Sequence, residues 1–265
     1  MSCSEDTISE EHTESHDHSD MSFYVRGTDC GVNSCVLPNI LLGMIQETAD
    51  KGATDTGFDR NYLYGLGACW IVLRMRLHII RLPKWRETIT IRTWSTGVDR
   101  ISFDREYEIF GEDGGLIGYC TSIWILADIN THRPLIPGKI EGLAPTISQS
   151  DRLVYGSKCP KTSMPDRSEF TGDPVIIKYA DYSELDHNHH VNNSRYLAWA
   201  YDAMSKYGID LEKAEDIMIS YFSEVKAGEK VEIHILEEKE QNTCKIYGFR
   251  GEGDKVFSVE INLSV

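Results

Sequence analysis

The chain has 265 residues, 41% of them hydrophobic and 10% aromatic, and a formal net charge of −15. That length holds one large domain or two of ordinary size, and a chain this acidic is a poor general nucleic-acid binder. No run of about 18 apolar residues is present to span a membrane, and the seven cysteines are scattered without a Cys-x-x-Cys pair, which argues against a disulfide framework and a zinc knuckle.

Residues 1–20 hold seven of the acids and no Lys or Arg. They read as a disordered acidic tail with too little apolar surface to dock. His12, His16 and His18 could catch a metal there, but a solvated leader is the reading adopted. The tail has neither the basic nor the apolar region of a secretory signal, so the chain is expected to be cytoplasmic, with reduced thiols.

A first unit, 21–143, opens on an alternating strand in "FYVRGTDCGVNSCVLPNILLGMIQETAD" and passes through a polar turn into a helix. Leu41, Met44, Ile45 and Thr48 form the helix's inner stripe, and Gly52 ends it. Strands are predicted at 70–81, 87–95, 101–110 and 116–129, with the tight turn "LPKWRET" between the first two and the hairpin "GEDGG" between the last two. The segment 144–173, with three prolines and two glycines, reads as a linker.

The second unit, 174–265, repeats the order. A strand leads through a polar turn into a helix with Leu197, Ala200, Met204 and Tyr207 on one stripe, ended at Gly208. Strands follow at 216–225, 229–238, 243–250 and 255–264, with the turns "VKAGEKV" and "GEGDK". An offset of 155 pairs Asn33 with Asn188, Cys35 with His190, Val36 with Val191 and Leu42 with Leu197. Each half thus reads as strand, helix and four-stranded antiparallel meander, an α+β unit present twice.

Chemistry concentrates in "ELDHNHHVNNSRYLAWAYD". Asp186, Asn188 and His190 alternate and would share a face of an extended segment, with His187 and His189 on the other. Asn192 and Asn193 suit helix capping. Asn188 can donate to a developing oxyanion alongside the N–H groups of the helix N-terminus, His190 can accept or relay a proton near neutral pH, and Asp186 can orient either. From the residues alone, this trio stands evenly between catalysis and a turn network. Zinc held by His187, His189 and His190 is disfavoured because neighbours on a strand point apart. Cys35 could be a nucleophile, but a small buried thiol is the better reading.

The stretch resembles the pattern of the double-hotdog acyl-acyl carrier protein thioesterases, matched by Asp186, Asn188, His190, Val191, Asn192, Asn193, Tyr196 and Trp199. "SYFSEVKAGEKVEI" places Glu224 at that family's downstream glutamate, with Val225 where plant members carry cysteine. "RMRLHIIRLPKWRETITIRTW" and "TSIWILADINTHRP" resemble its amino-terminal hotdog. The resemblance implies two tandem hotdog units, each an antiparallel sheet wrapped around a long central helix. The first unit would hold the acyl chain and the second would be catalytic.

It also implies hydrolysis of the thioester of fatty acyl-acyl carrier protein (acyl-ACP), releasing free fatty acid and ending chain elongation. No cofactor or metal is expected, and the protein would be a monomer or a homodimer. The catalytic set would be Asp186, Asn188, His190 and Glu224. Glu224 continues the face of Met218, Ser220 and Phe222; if that face is the inner one, Glu224 is partly desolvated and suited to act as general base. The acidic carrier protein would dock on Arg74, Arg76, Arg81, Lys84 and Arg86, a run without an acid. An acyl-coenzyme A thioesterase and a non-catalytic acyl-binding protein remain the alternatives.

Overall fold

Both predicted helices form with their apolar stripes turned inward, except that Tyr207, at the end of the second, is exposed. The computed structural model describes residues 17–140 and 148–264. Helix α1 (Pro38–Asp55) starts with proline at its first position, where no N–H is needed, and buries Leu41, Leu42, Ile45, Thr48 and Ala49. A short helix α2 (Arg60–Gly65), which the periodicity does not reveal, is capped by the Asp59 carboxylate. Helix α3 (Asn193–Tyr207) is capped by the Asn192 side chain, which accepts from Ser194 N–H at 2.9 Å. It ends where Gly208 turns left-handed at φ +89°.

The strands are β1 (Ser19–Tyr24), β2 (Ala68–Ile79), β3 (Thr88–Asp99), β4 (Ser102–Phe110), β5 (Leu116–Asp128), β6 (Ile176–Tyr179), β7 (Ala214–Tyr221), β8 (Lys230–Glu238), β9 (Thr243–Arg250) and β10 (Asp254–Leu263). They make one ten-stranded sheet in the order β1-β3-β4-β5-β2-β7-β10-β9-β8-β6. The two halves have the same internal order and meet where β2 pairs with β7, from Arg74↔Ser220 to His78↔Asp216. α1 and α3 pack side by side in the larger of two hydrophobic clusters, with Leu197, Ala200 and Met204 fully buried.

Two expectations are corrected here. The four later strands of each half are not a meander: β2 pairs with β5, and β7 with β10. The segment "LPKWRET" is a crossing loop because its backbone bonds go to the loop ahead of α1, through Val36 N–H to Pro83 O (2.8 Å) and Trp85 N–H to Ser34 O (3.0 Å). The tail boundary also moves. Ser19 is buried in β1, and Asp20 accepts two bonds from Arg92 at 2.8 Å. Pairing with β3 satisfies the backbone here whatever the side chains. Residues 1–16 of the expected tail, with His12 and His16, lie outside the described residues.

The internal repeat extends to backbone detail at the same offset of 155. Gly31 N–H donates to Cys35 O as Asp186 N–H donates to His190 O, and Ser34 (φ +59°) and His189 (φ +64°) are both left-handed. Residues 148–173 of the segment read as a linker run across the outer face of the sheet as a strap. Trp94 Nε1 donates to Arg152 O (2.8 Å), Val154 N–H to Glu106 (2.9 Å) and Thr162 to Ser220 (2.7 Å), and Phe170 packs on His234 and Phe249.

Candidate functional site

The stretch ahead of α3 is a turn, which corrects the extended reading. Asn188 N–H donates to the Asp186 carboxylate at 2.8 Å, and Asp186 N–H closes the turn on His190 O at 2.8 Å. Asp186 therefore orients the set through the backbone of Asn188; no bond from its carboxylate to the His190 ring forms. Alternation does not hold in a turn, and His187, expected to face away, lines the same cavity as Asp186 and Asn188. Glu184 fixes the turn to the helix by accepting from Trp199 Nε1 at 2.7 Å.

Glu224 lies beyond the end of β7, in the loop that follows it. It does not continue the strand face, and the expected desolvation does not occur: its side chain is 42% exposed. Arg250 holds this loop by donating to Glu224 O (2.8 Å) and to the Glu229 carboxylate (2.7 Å). Val191 N–H donates to Val225 O (2.8 Å) and ties the loop to the turn before α3. The result brings Glu224 Oε2 to 3.3 Å from His190 Nε2.

Two residues of the first half complete the cluster, and sequence reasoning missed both. His132, from the loop after β5, puts Nδ1 3.0 Å from the same Glu224 oxygen. Tyr64, from α2, donates its hydroxyl to Asn188 Oδ1 at 3.0 Å across 124 positions of sequence. No spacing rule reaches across such a separation, although His132 sits inside "TSIWILADINTHRP", a stretch already singled out. Cys69 lies nearby, and burial, then the charge of Glu224, pushes its thiol up from the ordinary range, which disfavours a thiolate nucleophile there.

A cavity of about 740 Å³ opens at Asp186, His187, Asn188, Asn192 and Asn193 and extends between α1, α2 and the sheet. Trp70, Phe103 and Trp124 give it an aromatic wall, and Ala49 and Ala53 contribute the helix side. The pairing of the crossing loops identifies the first half's counterpart of the cluster. Cys35 bridges Lys84 as His190 bridges Lys226, and Pro83 and Val225 accept equivalent bonds. Leu82 then stands where the second half has Glu224, and Cys35 where it has His190. Cys35 is half-buried rather than buried, with no imidazole or carboxylate supplied by its crossing loop at Leu82.

The five basic residues do not form one surface. Arg76 is bound to Asp216 at 2.7 Å and stacks under Tyr155 of the strap, and Arg74 donates to Cys159 O. Arg81 is bound to Glu87 at 2.7 Å. Lys84 and Arg86 are exposed, but on the crossing loop beside Cys35, at the end of β2 remote from Cys69. The run lacks acids in sequence, whereas the fold brings Asp216 to it from the other unit. Arg74 and Arg76 thus lie under the strap, while Arg81, Lys84 and Arg86 gather around the crossing loop.

Residues 16–137 match the acyl-ACP thioesterase N-terminal domain and residues 172–263 the acyl-ACP thioesterase C-terminal domain. The chain belongs to the acyl-ACP thioesterase family. Among relatives of this acyl-ACP thioesterase family chain, the oleoyl-acyl carrier protein thioesterase of Coriandrum sativum is 26% identical over 250 residues, covering 86% of this chain and 66% of that protein. The chain thus spans just under two thirds of that relative's length.

An acyl-ACP thioesterase from Bacteroides thetaiotaomicron shares the fold with a TM-score of 0.78 at 21% identity, over 94% of this chain and 98% of the other. The 12:0-ACP thioesterase from Umbellularia californica does so at 0.76 and 18%, over 94% and 97%. These likenesses establish the fold, the α+β double hotdog expected from the sequence. No helix among the described residues is long and apolar enough to cross a membrane.

Proposed function

We propose that the chain hydrolyses the thioester of fatty acyl-acyl carrier protein. The observation that carries this reading is the contact of Glu224 with His190, two positions along the same turn from Asn188, which lines a large, partly aromatic cavity. In this reading the acyl chain enters the cavity and the thioester stops at Asn188. Tyr64 occupies the Oδ1 of Asn188 as donor, which leaves the amide NH₂ to donate to the carbonyl oxygen as it becomes an oxyanion. The N-terminus of α3 adds a favourable dipole.

Water attacks the thioester carbon while the His190–Glu224 couple takes its proton. The tetrahedral intermediate collapses, the carbon–sulfur bond breaks, and the couple returns the proton to the departing sulfur. The products are a fatty acid and the carrier thiol. Asp186 supports this set by bonding the Asn188 backbone. The first unit, with Cys35 and Leu82 at the equivalent positions, carries no second couple; it serves the acyl chain and lends Tyr64 and His132 to the reacting set. The acidic carrier protein is the proposed partner.

The test is hydrolysis of acyl-carrier-protein and acyl-coenzyme A thioesters from C8 to C18, with product analysis. Turnover of the carrier-protein series at higher kcat/KM supports the reading. Preference for coenzyme A thioesters would make it an acyl-coenzyme A hydrolase, and acyl binding without turnover would remove the enzyme assignment.

A further inference from the structure

Arg105 is a buried cation on the wall of the acyl cavity. It comes from the inner face of β4, between Phe103 and Tyr107, and is only 8% exposed. Its side chain makes one hydrogen bond, from Nη1 to Thr93 Oγ1 at 3.3 Å, and among the described residues no carboxylate forms an ion pair with it. The neighbouring acids do not pair with it: Asp104, on the same cavity, is bound to Lys158 at 2.8 Å, Glu106 is bound to Thr121 and Val154 N–H, and Asp55 acts on Arg105 only through its charge. Burial pulls the guanidinium below its ordinary range, yet an arginine keeps its charge in such settings.

The fold makes room for this group. A Cβ added to Gly52 of α1 would overlap Arg105 Nη1 and lie 3.2 Å from Cζ, so the helix admits the guanidinium only because residue 52 is glycine. Arg105 shares the cavity wall with Trp70, Phe103 and Trp124, and the same cavity reaches Asn188. A plain alkyl chain laid along that wall would cover a guanidinium without giving it an acceptor, which costs free energy. A chain carrying an oxygen there would supply the acceptor that the protein withholds.

We propose that the cavity recognises an oxygenated acyl chain, one whose hydroxyl, oxo or carboxylate oxygen accepts hydrogen bonds from Arg105 while its thioester lies at Asn188. This rests on the thioesterase reading for the position of the reacting end; the recognition itself does not require turnover. It assigns Arg105 the part of a specificity-determining residue rather than a catalytic one.

The experiment has two arms. In the first, calorimetry measures binding of free acids matched in length from C8 to C16: plain, ω-hydroxy, ω-oxo and α,ω-dicarboxylic. In the second, kcat/KM is measured for the corresponding thioesters. At one length or more, the oxygenated acid should bind at least tenfold more tightly than the plain one, and the preferred oxygen class identifies the ligand. Arg105→Met should erase that preference while leaving plain-chain binding equal or improved; a merely structural arginine would weaken both alike.

Gly52→Ala, a favourable change for a helix, should displace the guanidinium and reduce the preference even if Arg105→Met fails to fold. Equal binding of plain and oxygenated chains at every length, or binding of neither, would overturn the proposal. If binding shows the preference but no thioester is turned over, the hydrolase reading fails and the recognition stands.

Discussion

His132 and His190 meet edge-on, ring centroids 5.9 Å apart, with one carboxylate oxygen of Glu224 within 3.3 Å of both. One imidazole belongs to each half of the chain, so His132 joins the His190–Glu224 couple only when the halves are assembled. In the proposed mechanism His190→Ala and Glu224→Gln each lower kcat by about 100-fold or more, the scale of losing a general base. The double variant should be little worse than either single one, because the groups act as a unit. His132→Ala should cost about tenfold, as a partner that holds the carboxylate rather than a proton carrier. Steady-state kinetics on folded protein checks all four; near-wild-type Glu224→Gln would remove the base assignment.

Tyr64 lines the cavity and donates its hydroxyl to Asn188 Oδ1. Tyr64→Phe should therefore lower kcat by about three- to tenfold with little change in KM, since one net hydrogen bond is worth roughly 1 kcal/mol. Asn188→Ala should cost about 100-fold, and Tyr64→Phe added to it should cost almost nothing further. Additive losses would mean that Tyr64 acts on the substrate by another route.

Arg76 is a stability residue in this structure. Reversing it to Glu places two acids side by side at the β2–β7 junction, with side chains now 26% and 13% exposed. Breaking such a pair from one side costs on the order of 2–4 kcal/mol, which lowers the thermal midpoint by several degrees. The measurement is a thermal melt beside KM for an acyl-carrier-protein substrate. A raised KM with an unchanged midpoint would restore Arg76 to a docking role.

Glu87 carries an acid-sensitive part of the stability. The Arg81 guanidinium and the backbone N–H groups of Lys84 and Glu112 hold its carboxyl down to about 2, against an ordinary 4.5. A depressed folded-state value contributes stability that is fully present above pH 4.5 and lost as pH falls through 2. Glu87→Gln should thus destabilise by about 2 kcal/mol at pH 7, and the gap to wild type should narrow steadily between pH 4.5 and 2. Denaturant titrations at pH 7, 4 and 3 follow it; a gap independent of pH would show that the loss is packing alone.

Helices α1 and α3 and the later strands were readable because each depends on local pattern. Apolar spacing marked α1 and α3, and an offset of 155 marked the repeat before any contact was known. Strand order was not readable, since β2 chooses β5 over β3 through the bonding of a loop to a distant segment. The same holds for the site. Asn188, His190 and Glu224 lie in recognisable stretches, whereas Tyr64, His132 and Arg105 gain meaning only from what the fold sets opposite them. Alternation misled at Asp186 to His190 because a left-handed residue, His189 at φ +64°, breaks the period. It misled at Arg76 because the compensating acid, Asp216, comes from the other half.

The pairing of β2 with β7 means that neither unit owns a finished edge. A fragment of residues 17–140 would leave β2 with a bare row of N–H and C=O groups along one side, and a fragment of 148–264 would do the same with β7. Because the halves repeat one plan, the cheapest repair for a lone fragment is to pair with its twin, like strand to like strand. Such a homodimer would carry either two copies of Cys35 and Leu82 or two of His190 and Glu224 without His132. Only a chain that keeps both halves on one polypeptide is certain to marry unlike edges, so the covalent strap acts as a matchmaker as well as a cover, and the couple at Glu224 depends on its choice.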